Sequence, residues 1–252
     1  MFEMETSNAK KGCVERVKTG IFGLDEKISG GLPQGSIVLV TGTPGSGKSL
    51  LAMQYLVNGA VQYNEKGLYI SSEQPKQEIA DQAWQFGWDL MRLEQEGKIK
   101  IVAVNSQEFF EISKMNELKQ LILTGGYKRL VIDSTTSIAL ATMNPSNLVD
   151  SFRSGLHPES ITEIYKATLI SLIDTIKQTG ITALLIAQKV EGRPGDTIDM
   201  TSEFRADGLW VLDARMLGQN ENRTLQIKKM RKTKITIRPF PIEFTDKGVS
   251  LI

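Results

Sequence analysis

The stretch that most constrains the fold lies between residues 36 and 63. A short, β-branched apolar run, Ser36-Ile37-Val38-Leu39-Val40, leads directly into Thr41-Gly42-Thr43-Pro44-Gly45-Ser46-Gly47-Lys48-Ser49. The residues that follow, LLAMQYLVNGAVQY, are good helix formers with apolar side chains at helical spacing. The run reads as a buried strand, followed by a glycine-rich turn and a helix. The turn matches G-x-x-x-x-G-K-[ST] from Gly42 to Ser49. In that pattern successive backbone N–H groups and the helix N-terminus point at phosphate oxygens, and the glycines let the backbone come close. The pattern points to a nucleoside triphosphate without saying what it is used for.

The rest of the chain predicts the frame around this unit. Apolar runs recur at 67–71, 99–104, 129–133 and 182–187, and helical stretches at 76–95, 113–124 and 160–179 separate most of them. This alternation predicts an α/β fold, a P-loop NTPase core with a mostly parallel, doubly wound sheet and helices on both faces. Residues 209–212, 223–227 and 239–244 read as extra C-terminal strands joined by turns. Residues 1–16 read as a polar tail and 17–252 as one domain. Two stretches, 141–159 and 189–204, read as long loops of the kind that often carry function.

Composition narrows the classes. The chain of 252 residues carries 30 basic and 29 acidic side chains, so no global basic excess marks it as a nucleic-acid binder. Cys13 is the only cysteine, which excludes an intramolecular disulfide and suits a reducing interior. The single histidine, His157, argues against a histidine-based metal site or a Ser-His-Asp triad. No apolar run approaches the roughly 18 residues of a membrane span, and the N-terminus has no apolar leader. The expectation is a cytoplasmic protein with no membrane association.

Candidate chemistry centres on the glycine-rich turn. Gly42, Thr43, Pro44, Gly45, Ser46, Gly47, Lys48 and Ser49, with Leu50 after them, are candidates for holding the phosphates of ATP or ADP. Lys48 would neutralise β- and γ-phosphate charge, and the Ser49 hydroxyl would ligate Mg²⁺. Asp133 closes the strand LVID, so its carboxylate should emerge at the edge where the turn sits, as a second magnesium anchor. The alternative for Asp133 is a plain turn cap. Glu73, just past strand 67–71, is the candidate for orienting or deprotonating water; it could instead be an acid at a helix start. Gln188 either senses the γ-phosphate or is a polar strand end. Lys228, Lys229, Arg231, Lys232 and Lys234 form a basic cluster. It suits a solvated or nucleic-acid-binding face, or a finger reaching a neighbouring subunit's nucleotide.

The order of these motifs resembles the KaiC-like branch of the RecA superfamily of ATPases. The resemblance runs from Val17-Lys18-Thr19-Gly20-Ile21-Phe22-Gly23-Leu24-Asp25 and Gly30-Gly31-Leu32-Pro33-Gln34-Gly35-Ser36 through the turn to Asn58-Gly59-Ala60. It continues with Phe86-Gly87-Trp88-Asp89-Leu90, Asp133-Ser134, Ala206-Asp207-Gly208 and Lys229-Met230-Arg231. The resemblance implies a RecA-like core that slowly hydrolyses ATP with water to ADP and phosphate. It also implies a homo-oligomeric ring, usually of six, with nucleotide between subunits. Lys229 and Arg231 would then act on the neighbour's ATP, Glu73 would activate water, and nucleotide state would control assembly or binding of an unidentified protein partner. Clock-type members carry two adjacent glutamates where this chain has Ser72-Glu73, and two such domains in tandem where this chain has one. A circadian role is therefore not expected. The alternative is a recombinase-paralog accessory factor that binds single-stranded DNA, with ATP as a switch.

Overall fold

The protein is described by a computed structural model covering residues 14–105, 108, 111–137, 158–189, 200–217 and 220–252. Its strands, in chain order, are β1 (Arg16–Val17), β2 (Leu32–Pro33), β3 (Ile37–Gly42), β4 (Gly67–Ser71), β5 (Ile99–Ala103) and β6 (Arg129–Asp133). These are followed by β7 (Thr182–Gln188), β8 (Gly208–Leu217), β9 (Asn220–Met230), β10 (Pro239–Thr245) and β11 (Gly248–Leu251). Nine of them form one sheet in the order β11-β10-β9-β8-β3-β7-β6-β4-β5. From β8 to β5 every neighbouring pair is parallel, and β9, β10 and β11 extend the sheet antiparallel. The predicted α/β class and the added C-terminal strands are both present.

The parallel strands read as unbroken apolar runs because both faces are covered. Val38 and Val40 of β3 face one core with Tyr55 and Leu56 of the helix Lys48–Gln62. Ile37 and Leu39 face the other, with Leu118 and Ile122 of the helix Ile112–Thr124 and Ile173 and Ile176 of the helix Pro158–Thr179. Alternation along each strand thus feeds two cores, which is the physical content of a doubly wound sheet.

Three details depart from the expectations. The helix expected over 76–95 is two, Lys76–Trp84 and Leu90–Gln95. Gly87 takes φ 73° between them, and the Asp89 carboxylate caps the second by accepting from Arg92 N at 2.9 Å. Arg16, expected at the end of a polar tail, is already in β1 paired with β2, and its guanidinium donates to Ile28 O, Gly31 O and Lys232 O. Part of the expected loop 189–204 is the helix Met200–Arg205. Residues 141–157 and 190–199 of the two expected loops, and Cys13 and His157, lie outside the described residues. No described helix is long and apolar enough to cross a membrane.

One ionic cluster ties the loop helix to the sheet. Arg129, at the start of β6, is wholly buried. It donates to Tyr55 O and Lys18 O, each at 2.7 Å, and to the Glu65 carboxylate at 2.6 Å, with its guanidinium 4.6 Å above the Tyr55 ring. A buried guanidinium is tolerable only when its donors are met and its charge is paired. Glu65→Ala should therefore lower the stability measured by urea denaturation by about 2 kcal/mol, the range for hydrogen bonds to charged groups. A loss under about 0.5 kcal/mol would make this an ordinary surface ion pair.

Candidate functional site

Because six strands run parallel, their carboxyl ends meet at one edge. The glycine-rich loop leaves β3 there, Gln188 pairs with Gly42 across β7, and Asp133 pairs with Ser71 across β4 and β6. Glu73 follows two residues after Ser71. Four strands thus gather the loop, Glu73, Asp133 and Gln188, which are far apart in sequence.

The loop is shaped by its close contacts. Gly47, the residue before the helix Lys48–Gln62, has φ 94°, and a Cβ there would overlap the Phe244 ring of β10. The Arg223 guanidinium lies 4.1 Å above that same ring. Lys48 is buried, and its ammonium donates to Gly42 O at 3.0 Å and Thr43 O at 2.8 Å. Burial lowers the Lys48 pKa, opposed by the charges of Asp133 and Glu73. Ser46 Oγ is buried with no hydrogen-bond partner, and Gly45 has open space beside it. A lysine satisfied by its own loop, an orphaned hydroxyl and an unfilled glycine cradle together fit a group rich in acceptor oxygens. Phosphate is such a group.

Tyr69 Oη donates to Asp133 Oδ2 at 2.7 Å, and the Ser49 hydroxyl lies close enough to the same carboxylate to bear on its charge. Burial pushes the Asp133 pKa up, and the nearby hydroxyls of Ser49 and Tyr69 pull it back. The described residues hold no cluster of three or more His, Cys, Asp or Glu that could bind a metal. One carboxylate and one hydroxyl are the hard-oxygen set that suits Mg²⁺ arriving with phosphates, which together with water supply its other ligands.

Glu73 is held rather than loose. Ser134 Oγ donates to Glu73 Oε1, and Gln188 Nε2 donates to the same oxygen at 3.3 Å. Ser134 follows Asp133 across a cis peptide bond, and its N–H donates to Ser72 Oγ at 3.0 Å. Lys189 N donates to Gly42 O at 3.0 Å and ties the end of β7 to the loop. A recess of about 310 Å³ opens beside Glu73, walled by Ser72, Gln74, Pro75, Ala103 and Val104. Sequence reasoning missed Tyr69, Ser134, Arg223 and Phe244. Only Ser134 had a signal, its place next to Asp133.

Lys229 and Arg231 lie elsewhere. Lys229 pairs with Leu209 and Met230 with Gly208, and Gly208 pairs with Val38 near the start of β3. They therefore sit toward the amino edge of the parallel strands, with Met230 level with Val38, about 13 Å from Gly42 at roughly 3.3 Å per residue along β3. Lys229 Nζ donates to Glu203 O and Ala206 O at the end of the helix Met200–Arg205, and Arg231 pairs with Asp207 at 3.4 Å. Burial lowers the Lys229 pKa, with the Arg231 charge adding to the effect.

This arrangement has counterparts. A family model described as the KaiC ATPase matches residues 17–155 and 142–252. The circadian clock oscillator protein KaiC of Synechococcus elongatus is 29% identical over 253 residues, which span 97% of this chain but only 46% of that protein. The UPF0273 protein MJ1359 of Methanocaldococcus jannaschii is 31% identical over 251 residues, 94% of this chain and 96% of that one. The crystal structure of the KaiC-like protein PH0186 from Pyrococcus horikoshii OT3 superposes with a TM-score of 0.79 at 30% identity. The match covers 95% of this chain and all of that one.

The Gly47 geometry makes a direct prediction. Gly47→Ala adds a Cβ in a positive-φ position against the Phe244 ring, so the loop must move. ATP affinity, read by fluorescence of a labelled ATP, should fall at least tenfold while circular dichroism stays native. Unchanged affinity would mean that this loop does not hold the nucleotide.

Proposed function

The chain belongs to the KaiC family of ATPases, and from that premise we propose that it binds ATP with Mg²⁺ and slowly hydrolyses it to ADP and phosphate. Its binding loop is Gly42–Ser49, with Leu50 beside it. The observation that carries this reading is the convergence of Lys48, Ser49, Asp133, Glu73 and Gln188 on one sheet edge. In this account the Lys48 ammonium exchanges Gly42 O and Thr43 O for β- and γ-phosphate oxygens, a swap of acceptors that needs little rearrangement. Ser49 and Asp133 hold the magnesium, which supplies charge neutralisation at the phosphates. Ser134 and Gln188 both bond Glu73 Oε1, which leaves Oε2 to accept a proton from water entering the adjacent recess. Gln188, bonded to Glu73 and placed level with Gly42, is set to register whether a γ-phosphate is present. The half-buried Phe244, with the Arg223 guanidinium over its ring, would give the base a neighbour beside the loop.

The same reading makes the site a shared one. Lys229 and Arg231 stand at the edge opposite the loop, so they cannot serve their own subunit's phosphates. A head-to-tail homo-oligomer, with six subunits as in the resemblance, brings that edge onto the neighbour's loop and closes into a ring. Nucleotide state would then control assembly and the binding of a protein partner.

Two measurements test this. Glu73→Gln should reduce phosphate release by about 10²- to 10⁴-fold, the usual worth of a general base, with ATP affinity within about twofold. Unchanged turnover would remove Glu73 from the chemistry. Mixing Arg231→Ala subunits with Lys48→Ala subunits should restore part of the activity that neither has alone, because some interfaces then pair an intact loop with an intact arginine. Mixed assemblies, verified by native mass spectrometry, that stay inactive would rule out action between subunits.

A further inference from the structure

We infer that Tyr69 is a positioning residue for the metal-binding carboxylate: its buried hydroxyl takes Asp133 Oδ2 and leaves the other oxygen to face the cation. This rests on the nucleotide-site reading above and adds to it a residue that no motif marks.

The geometry comes from strand register. Tyr69 pairs with Val131 across β4 and β6, and Ser71 pairs with Asp133. Tyr69 and Asp133 are therefore diagonal neighbours, and Tyr69 and Val131 face the same core. The tyrosine ring runs under the strand end among buried side chains, and its Oη meets Asp133 Oδ2 at 2.7 Å. Phenylalanine would fill that core space equally well. Only the hydroxyl explains a polar aromatic here, and its hydrogen-bond partner is a carboxylate rather than a backbone carbonyl. Tyr55, in the same core and equally buried, shows the contrast: its hydroxyl donates to Thr182 O. One hydroxyl serves the sheet backbone and the other serves the site.

A two-oxygen carboxylate with one oxygen committed to a fixed donor cannot rotate freely. Its remaining oxygen is then held in one orientation, and partners that orient a metal ligand in this way are commonly worth 10- to 100-fold in metal affinity. Without the phenol, Asp133 Oδ2 would be buried without that donor, and the carboxylate would be free to rotate in search of another.

The test uses Mn²⁺ as a probe, with bound and free ion distinguished by electron paramagnetic resonance in the presence of ATP and full-length chain. Tyr69→Phe should weaken Mn²⁺ binding in the ATP complex at least tenfold, while ATP affinity in EDTA stays within about twofold of the unmodified protein. Tyr55→Phe, which also deletes one buried hydroxyl, should leave Mn²⁺ binding unchanged. In an Asp133→Asn background, Tyr69→Phe should have no further effect on Mn²⁺. Equal Mn²⁺ affinity in Tyr69→Phe and the unmodified protein, or an equal loss in Tyr55→Phe, would overturn the inference and leave the nucleotide site standing. If the unmodified protein binds no Mn²⁺ with ATP, the nucleotide-site reading fails, and the role of Tyr69 fails with it.

Discussion

The structure depends on one packing arrangement, the helix Lys48–Gln62 laid across parallel strands with its first turn at their carboxyl ends. The helix is fixed at both ends by different forces. At its start, Gly47 packs against Phe244 and Lys48 bonds back into the loop. Further along, Arg129 grips Tyr55 O from beneath and carries β6 with it. Asp133 ends β6, so the ion cluster that anchors the helix also sets where the carboxylate emerges. The apolar strands between these points need only be short and buried on both faces. Position at the site is thus transmitted through the core rather than set locally.

The charges at the edge are balanced before any ligand is present. Lys48 is buried, yet its ammonium has two carbonyl acceptors and the fields of Asp133 and Glu73. Asp133 is buried, yet Tyr69 donates to it and the Lys48 charge stands nearby. Glu73 is bonded by Ser134 and Gln188. Each group can exchange one partner for another without passing through an unpaired buried charge. That is the physical condition for a preorganised site in a low-dielectric edge.

Much of this was legible in the sequence, and the reasons are specific. Ile37-Val38-Leu39-Val40 and Leu130-Val131-Ile132 read as buried strands because parallel strands covered on both faces need no polar alternation. Asp133 read as an edge group because it ends such a run. The break at 85–89 carried a signal in Gly87 and Asp89, but good helix formers on either side masked it. β1, β2 and β11 are too short for any periodicity to register. Tyr69 and Phe244 could not be read at all. Their roles depend on strand register and on contacts across about 60 to 200 residues, and side-chain identity says nothing about either. Lys229 and Arg231 were legible as a basic cluster, but only the sheet order places them at the amino edge, away from the loop of the same chain. The matched relatives support the KaiC family assignment, and this chain spans only about half of the clock protein.

The central claim is that the edge of β3, β6 and β7 holds ATP with its metal. A crystal structure grown with a non-hydrolysable ATP analogue and Mg²⁺ tests it most directly. The account predicts the triphosphate in the loop Gly42–Ser49, with the Lys48 ammonium moved from Gly42 O and Thr43 O onto phosphate oxygens. It also predicts the metal between Ser49 and Asp133, with Tyr69 still bonded to Oδ2. A triphosphate bound away from this loop, or a metal that meets neither Ser49 nor Asp133, would contradict it.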